Sequence, residues 1–287
     1  MSISASAVLV ELNISVWPAS KIDKEVTERT NKDAAAVSDA SQTKKNLFAG
    51  TSLRKDIEKY AARIRLYHNL HTLPWADKGE RLLPTKMFMD YKISMTTFKD
   101  TFEDMCEEFF NAYPALVAQA PLNLGKLYRA EDYPPLEEVR QKFGFRQAIS
   151  PLPESGDFRL DVPSNDLIEM QSEYEAKFQE RLADAMQAPW QRLHTMLTNI
   201  STKLTDTKEE EVEGKSKRYH DSLVMNALDL CSLLTKLNVT NDPKLEEARR
   251  QLEIAMTQTN IEAIKDSPNE REVVKSRVDA ILNKFSW

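Results

Sequence analysis

The sequence predicts a mainly α (α+β) fold: an elongated antiparallel long-helix hairpin, a small antiparallel β-sheet and a C-terminal helical bundle. Three observations carry this expectation. Large apolar side chains at Phe88, Tyr91, Met95, Phe98, Phe102, Met105 and Phe109 recur in alternating steps of three and four, the spacing of a heptad seam. The chain of 287 residues holds only 6 Gly and is 29% charged, which favours long helices over a turn-rich sheet. Val8, Val10, Leu12, Ile14 and Val16 alternate with Leu9, Glu11, Asn13 and Ser15, a period of two that marks a strand.

Taken in order, the first strand spans residues 8–17 and is closed by Pro18. Ser20 is placed to cap a helix that drifts into the small, polar run Ala34 to Ser41, and Leu47-Phe48 forms a short apolar anchor. The next helix opens near Gly50-Thr51 and puts Leu53, Ile57, Tyr60, Ile64 and Tyr67 on one face. Pro74 takes Leu73 out of the helical region, and Gly79 permits the positive φ that reverses the chain. The stretch from His71 to Pro84 is therefore expected to be a corner between two helices, with Trp75 stapling them together.

Pro84 suits the first turn of the long helix that carries the seam. From Pro84 to about Val117 that helix would span roughly 50 Å at ~1.5 Å per residue. Six prolines and three glycines from Pro121 to Pro163 mark short elements: a helix over 135–142 and strands at 143–149 and 157–162. Those two strands are the expected partners of the first, giving a three-stranded sheet. A second long helix follows from Ser164 or Asn165, with a stripe at Leu167, Met170, Tyr174, Phe178, Leu182, Leu193, Leu197, Ile200 and Leu204 and a kink at Pro189. It is the expected antiparallel partner of the Phe88–Phe109 seam. The expected domains are 1–204, a charged linker at 205–216, and a bundle over 217–287 with helices near 217–237, 243–264 and 269–285.

Chemical motifs are sparse. No P-loop, GxGxxG, GxSxG or HExxH pattern occurs. His68 and His71 stand three apart at a helix end, but no Cys cluster supplies further ligands, so no metal or other cofactor is expected. Glu103/Asp104, Glu107/Glu108 and Glu137/Glu138 read as solvated helix faces, and no catalytic residue is assigned. Cys106 and Cys231 read as buried free thiols. The candidate binding residues are Trp75, Asp77 and Arg81 of the corner, an indole, a carboxylate and a guanidinium, together with Arg63 on the basic face before it. A purely structural corner, with an Asp77–Arg81 pair across it, is the competing reading.

A net charge of -6 and a pI of about 5.5 weigh against indiscriminate nucleic-acid binding. The start has no basic n-region, and no apolar run reaches the ~20 residues of a membrane span, so a cytoplasmic protein is expected.

One combination is more specific. Thr72-Leu-Pro-Trp75-x-Asp77-x-Gly79-x-Arg81-Leu-Leu-Pro84 is followed by Tyr113-Pro-x-Leu-Val117, Asp132-Tyr-Pro134, Phe143-x-Phe145, Pro151-x-Pro153 and Asp157-Phe-Arg-Leu-Asp-Val162. Over roughly residues 8–200 this order resembles an uncharacterised family of tailed phages and bacteria, a domain of unknown function. The resemblance implies a gene neighbourhood with a MoxR-type AAA+ ATPase and a von Willebrand A-type protein. It implies a bacterial host cytoplasm for a phage-encoded member, and supplies no activity. The resulting expectation is a non-enzymatic helical scaffold or adaptor with a protein partner, for which the resemblance implies such an ATPase. A DNA-associated phage accessory protein is the alternative.

Overall fold

The computed structural model describes residues 5–76, 79–153, 164–205 and 222–287. Its strands are β1 (Ala7–Ser15), β2 (Ser20–Ile22), β3 (Lys44–Asn46), β4 (Leu73–Pro74), β5 (Arg81–Pro84) and β6 (Gly144–Pro151). Its helices are α1 (Lys24–Asp33), α2 (Leu53–His71), α3 (Phe88–Leu124), α4 (Leu136–Arg140), α5 (Ser164–Leu204), α6 (Ser222–Leu237), α7 (Pro243–Thr257), α8 (Ile261–Asp266) and α9 (Pro268–Lys284). The fold is mainly helical with a small antiparallel sheet, as the sequence predicts.

Two compact units share the chain in alternation. One comprises Met1–Glu11, Asn69–Met89 and Ile149–Trp287; the other comprises Leu12–His68 and Asp90–Ala148. This grouping differs from a split at 205–216. The C-terminal helices share a unit with α5 because they complete its apolar stripe, and residues 206–216 lie outside the described ones.

In the second unit the α3 seam is buried at Tyr91, Met95, Phe102, Cys106 and Phe109. Within this unit it packs on α2, whereas α5, the expected partner, belongs to the other unit. Tyr60 packs on Phe98 at 6.1 Å between ring centroids, and Tyr67 on Phe98 at 5.1 Å and on Tyr91 at 6.1 Å. Residue numbers fall along α2 as they rise along α3, so the two helices run antiparallel. His68 Nδ1 and Tyr91 Oη lie 2.7 Å apart inside this seam. Further along, Phe48 packs on Phe109 at 5.5 Å, Tyr113 at 5.8 Å and Tyr133 at 5.9 Å, so the Leu47-Phe48 anchor forms as expected. Phe143 closes the same cluster against Phe109 and Phe110.

α3 does not fray at Val117. It continues through Pro114 and Pro121 to Leu124. Tertiary bonds hold the extension: Tyr113 Oη donates to Pro134 O at 2.6 Å and Asn123 Nδ2 to Ala49 O at 3.0 Å. A proline costs an interior helix a hydrogen bond, and these contacts offset that loss. Ser20 likewise caps nothing, since it opens β2. Asp23 is the N-cap of α1 and accepts from the Val26 N–H at 3.1 Å. Lys45, on β3, places its Nζ 2.7 Å from Asp132 Oδ2 and donates to Leu127 O at 2.8 Å.

In the first unit, β4 and β5 stand where a helical corner was expected. Leu73 pairs with Leu82 and Pro74 with Arg81, and β5 pairs in turn with β1 through Ala7–Pro84, Val8–Leu83, Leu9–Leu82 and Val10–Arg81. The sheet order is β4-β5-β1-β6, all around the predicted first strand. Pro74 is tolerated because β4 is a two-residue edge strand. Gly79 makes the turn with φ +96. The predicted strand at 157–162 lies outside the described residues.

α5 runs unbroken in assignment through Pro189. It buries Leu193, Leu197, Ile200 and Leu204 against α9, α6 and α7. The predicted helix at 243–264 is divided at Asn260, whose side chain caps α8 by accepting from Glu262 N and Ala263 N. Among the described residues no helix is long and apolar enough to cross a membrane.

Candidate binding site

Two of the corner residues selected from sequence, Trp75 and Arg81, make structural contacts. Trp75 is 7% exposed and meets Phe178 of α5 edge-on, ring centroids 5.2 Å apart. Arg81 donates from Nε to Thr72 Oγ1 at 2.6 Å and reaches the carbonyls of Asn69 and Thr72. Asp77 lies outside the described residues. Arg63 is exposed on α2, in the part of that helix that belongs to the other unit.

A second guanidinium, not anticipated from sequence, completes the arrangement. Arg192 of α5 donates to Leu70 O at 2.8 Å, Asn69 O at 2.8 Å and Thr72 O at 3.1 Å. Burial first, and then the nearby Arg81, lower its pKa to about 10. Both arginines thus cap the carbonyl end of α2, where unpaired C=O groups and the helix dipole carry negative partial charge. The Arg192 signal was hidden because a cation beside the stripe residue Leu193 reads as an ordinary solvated position.

Two open sites lie along α5: one of about 410 Å³ beside Leu70 and Arg192, and a larger one on an adjacent face. A cavity of about 570 Å³ is lined by Met186, Gln187, Trp190, Gln191, His194 and Trp287, among others. Helical spacing of three and four places the α5 members of this set in line. Trp287, which follows α9, packs against Trp190 at 5.5 Å and 76° and lies 5.1 Å from His194. Both indoles are fixed through their N–H groups. Trp190 Nε1 donates to Asp242 Oδ2 at 3.1 Å, and Trp287 Nε1 to Leu282 O at 2.7 Å.

Asp242 is itself held firmly. Its Oδ1 caps α7 through Lys244 N at 2.9 Å, while Asn238 Oδ1 accepts from its backbone N–H at 2.8 Å. The loop between α6 and α7 therefore sets the tilt of Trp190. Met186 is 8% exposed and Trp287 40% exposed, so the groove has an apolar floor and an aromatic wall open to solvent. Sequence reading did not pick out this face, because Trp287 is distant in the chain and enters only through the α5–α9 packing. Among the described residues no group of three His, Cys, Asp or Glu could hold a metal ion. No family model, curated protein or solved structure matches this chain.

Proposed function

We propose that the protein is a non-enzymatic helical scaffold or adaptor, and that it docks a segment of a protein partner in the α5 groove. The supporting observation is the cavity of about 570 Å³ whose wall is two indoles already anchored through their N–H groups. Tryptophan is a residue type enriched at binding hot spots, and a ring fixed before binding loses little entropy on contact. A pocket of this size, mostly apolar with a few polar groups, is the usual form of a binding site.

The resemblance drawn from residues 72–84 and the later motifs makes a MoxR-type AAA+ ATPase the first partner to test. Titration of such an ATPase from the same genome against the wild-type chain and Trp287→Ala is the direct experiment. Specific binding, weakened about tenfold or more in a variant that keeps its melting curve, is expected. Equal affinity of the two chains would remove the groove from the interaction, and no binding would remove this partner.

A further inference from the structure

We infer that the α5 groove selects a cationic side chain, arginine foremost, on the segment it docks; this rests on the binding reading above. Because both indole N–H groups are spent on Asp242 and Leu282, Trp190 and Trp287 offer the cavity only ring surface. An indole face carries negative electrostatic potential and attracts a guanidinium or ammonium group. Among the described residues no Lys or Arg lines the cavity.

The charges bordering the groove agree with a cationic guest. The Asp242 carboxylate stands against the Trp190 edge, and Asp184 accepts from the Gln187 side chain at 3.4 Å. Lys284 Nζ stands 5.5 Å over the ring of Phe285, which packs on both indoles, but this cation is already engaged. Lys284 is paired with Glu247 at 2.6 Å, and Arg192 faces the α2 carbonyls. Gln187 and Gln191 present amide oxygens that can accept from a guanidinium, which a planar fork exploits better than an ammonium does. The whole chain, at a formal charge of -6, adds long-range attraction for a basic segment.

The test is calorimetric titration of the full chain with three blocked tripeptides, Gly-Arg-Gly, Gly-citrulline-Gly and Gly-Leu-Gly. Citrulline keeps the shape of arginine and removes its charge. The arginine peptide is expected to bind about tenfold tighter than either neutral peptide. Trp287→Ala should erase that preference, and so should Gln187→Lys, an exposed change that leaves packing intact and brings a like charge to the rim. Equal binding of arginine and citrulline peptides would overturn the cationic selection while leaving a neutral docking groove. Binding of none of the three would also overturn it, and the ATPase titration would still judge the docking reading separately.

Discussion

Replacing Arg192 with Met tests how the end of α2 is held. Arg192 is the guanidinium that bonds Leu70 O, whereas Asn69 O and Thr72 O also receive Arg81. The variant therefore leaves the Leu70 carbonyl, on an exposed residue, without this donor and weakens two others. Hydrogen bonds from a charged donor contribute roughly 1.5–3 kcal/mol each, and the end-of-helix charge effect adds about 0.3–1 kcal/mol. Relief of the cation's desolvation and of its repulsion with Arg81 offsets part of that loss. A net destabilisation of about 2 kcal/mol follows, or roughly 4–8 °C in Tm. Arg81→Ala should cost less, about 1 kcal/mol, because Arg192 still serves the shared carbonyls. The double variant should exceed the sum of the two, since each arginine covers for the other. Thermal melts and hydrogen exchange over the last turn of α2 measure these effects. An Arg192→Met chain with unchanged Tm and unchanged protection there would refute the capping scheme.

Other consequences follow from burial. Trp75→Ala should cost about 3–5 kcal/mol through the cavity left against Phe178, read by urea unfolding. Phe102→Asp places a charge at a position 2% exposed and should cost more than Phe98→Asp, whose ring is half-buried, by comparison of melting temperatures. Removing residues 1–15 deletes the strand lying between β5 and β6, so the truncated chain should aggregate on light scattering. Burial pushes the Cys106 and Cys231 thiols from 9.0 up to about 12, so native protein at pH 8 should react with a thiol reagent far more slowly than unfolded protein. The unfolded chain releases those protons first, so stability is retained below pH ~9 and falls as pH rises towards 12, by about 1 kcal/mol per thiol at pH 10.

Much of the fold was legible because it rests on periodicity. The three-and-four spacing of the α3 seam and the alternation in β1 both place residues that the structure buries, among them Tyr91, Phe102, Val10 and Ile14. Pairing was less legible. The seam faces α2, whose own stripe at Ile57, Tyr60, Ile64 and Tyr67 was visible, yet the stripe of α5 was expected to be its partner. The corner misled because Pro74 and Gly79 signal a reversal without specifying helix or strand on either side. Leu73, Leu82 and Leu83, each fully buried, are what make it a hairpin. The α5 groove was least legible, since Trp190 and Trp287 meet only through tertiary packing across nearly a hundred residues.

The groove's role is tested most directly by the four indole N–H signals of Trp17, Trp75, Trp190 and Trp287 in a proton–nitrogen correlation spectrum. On adding a bound partner, the Trp190 and Trp287 signals should shift or broaden while those of the buried Trp75 and of Trp17 stay in place. Saturable binding that moves Trp17 or Trp75 and leaves Trp190 and Trp287 unchanged would contradict the assignment of the α5 groove as the docking site.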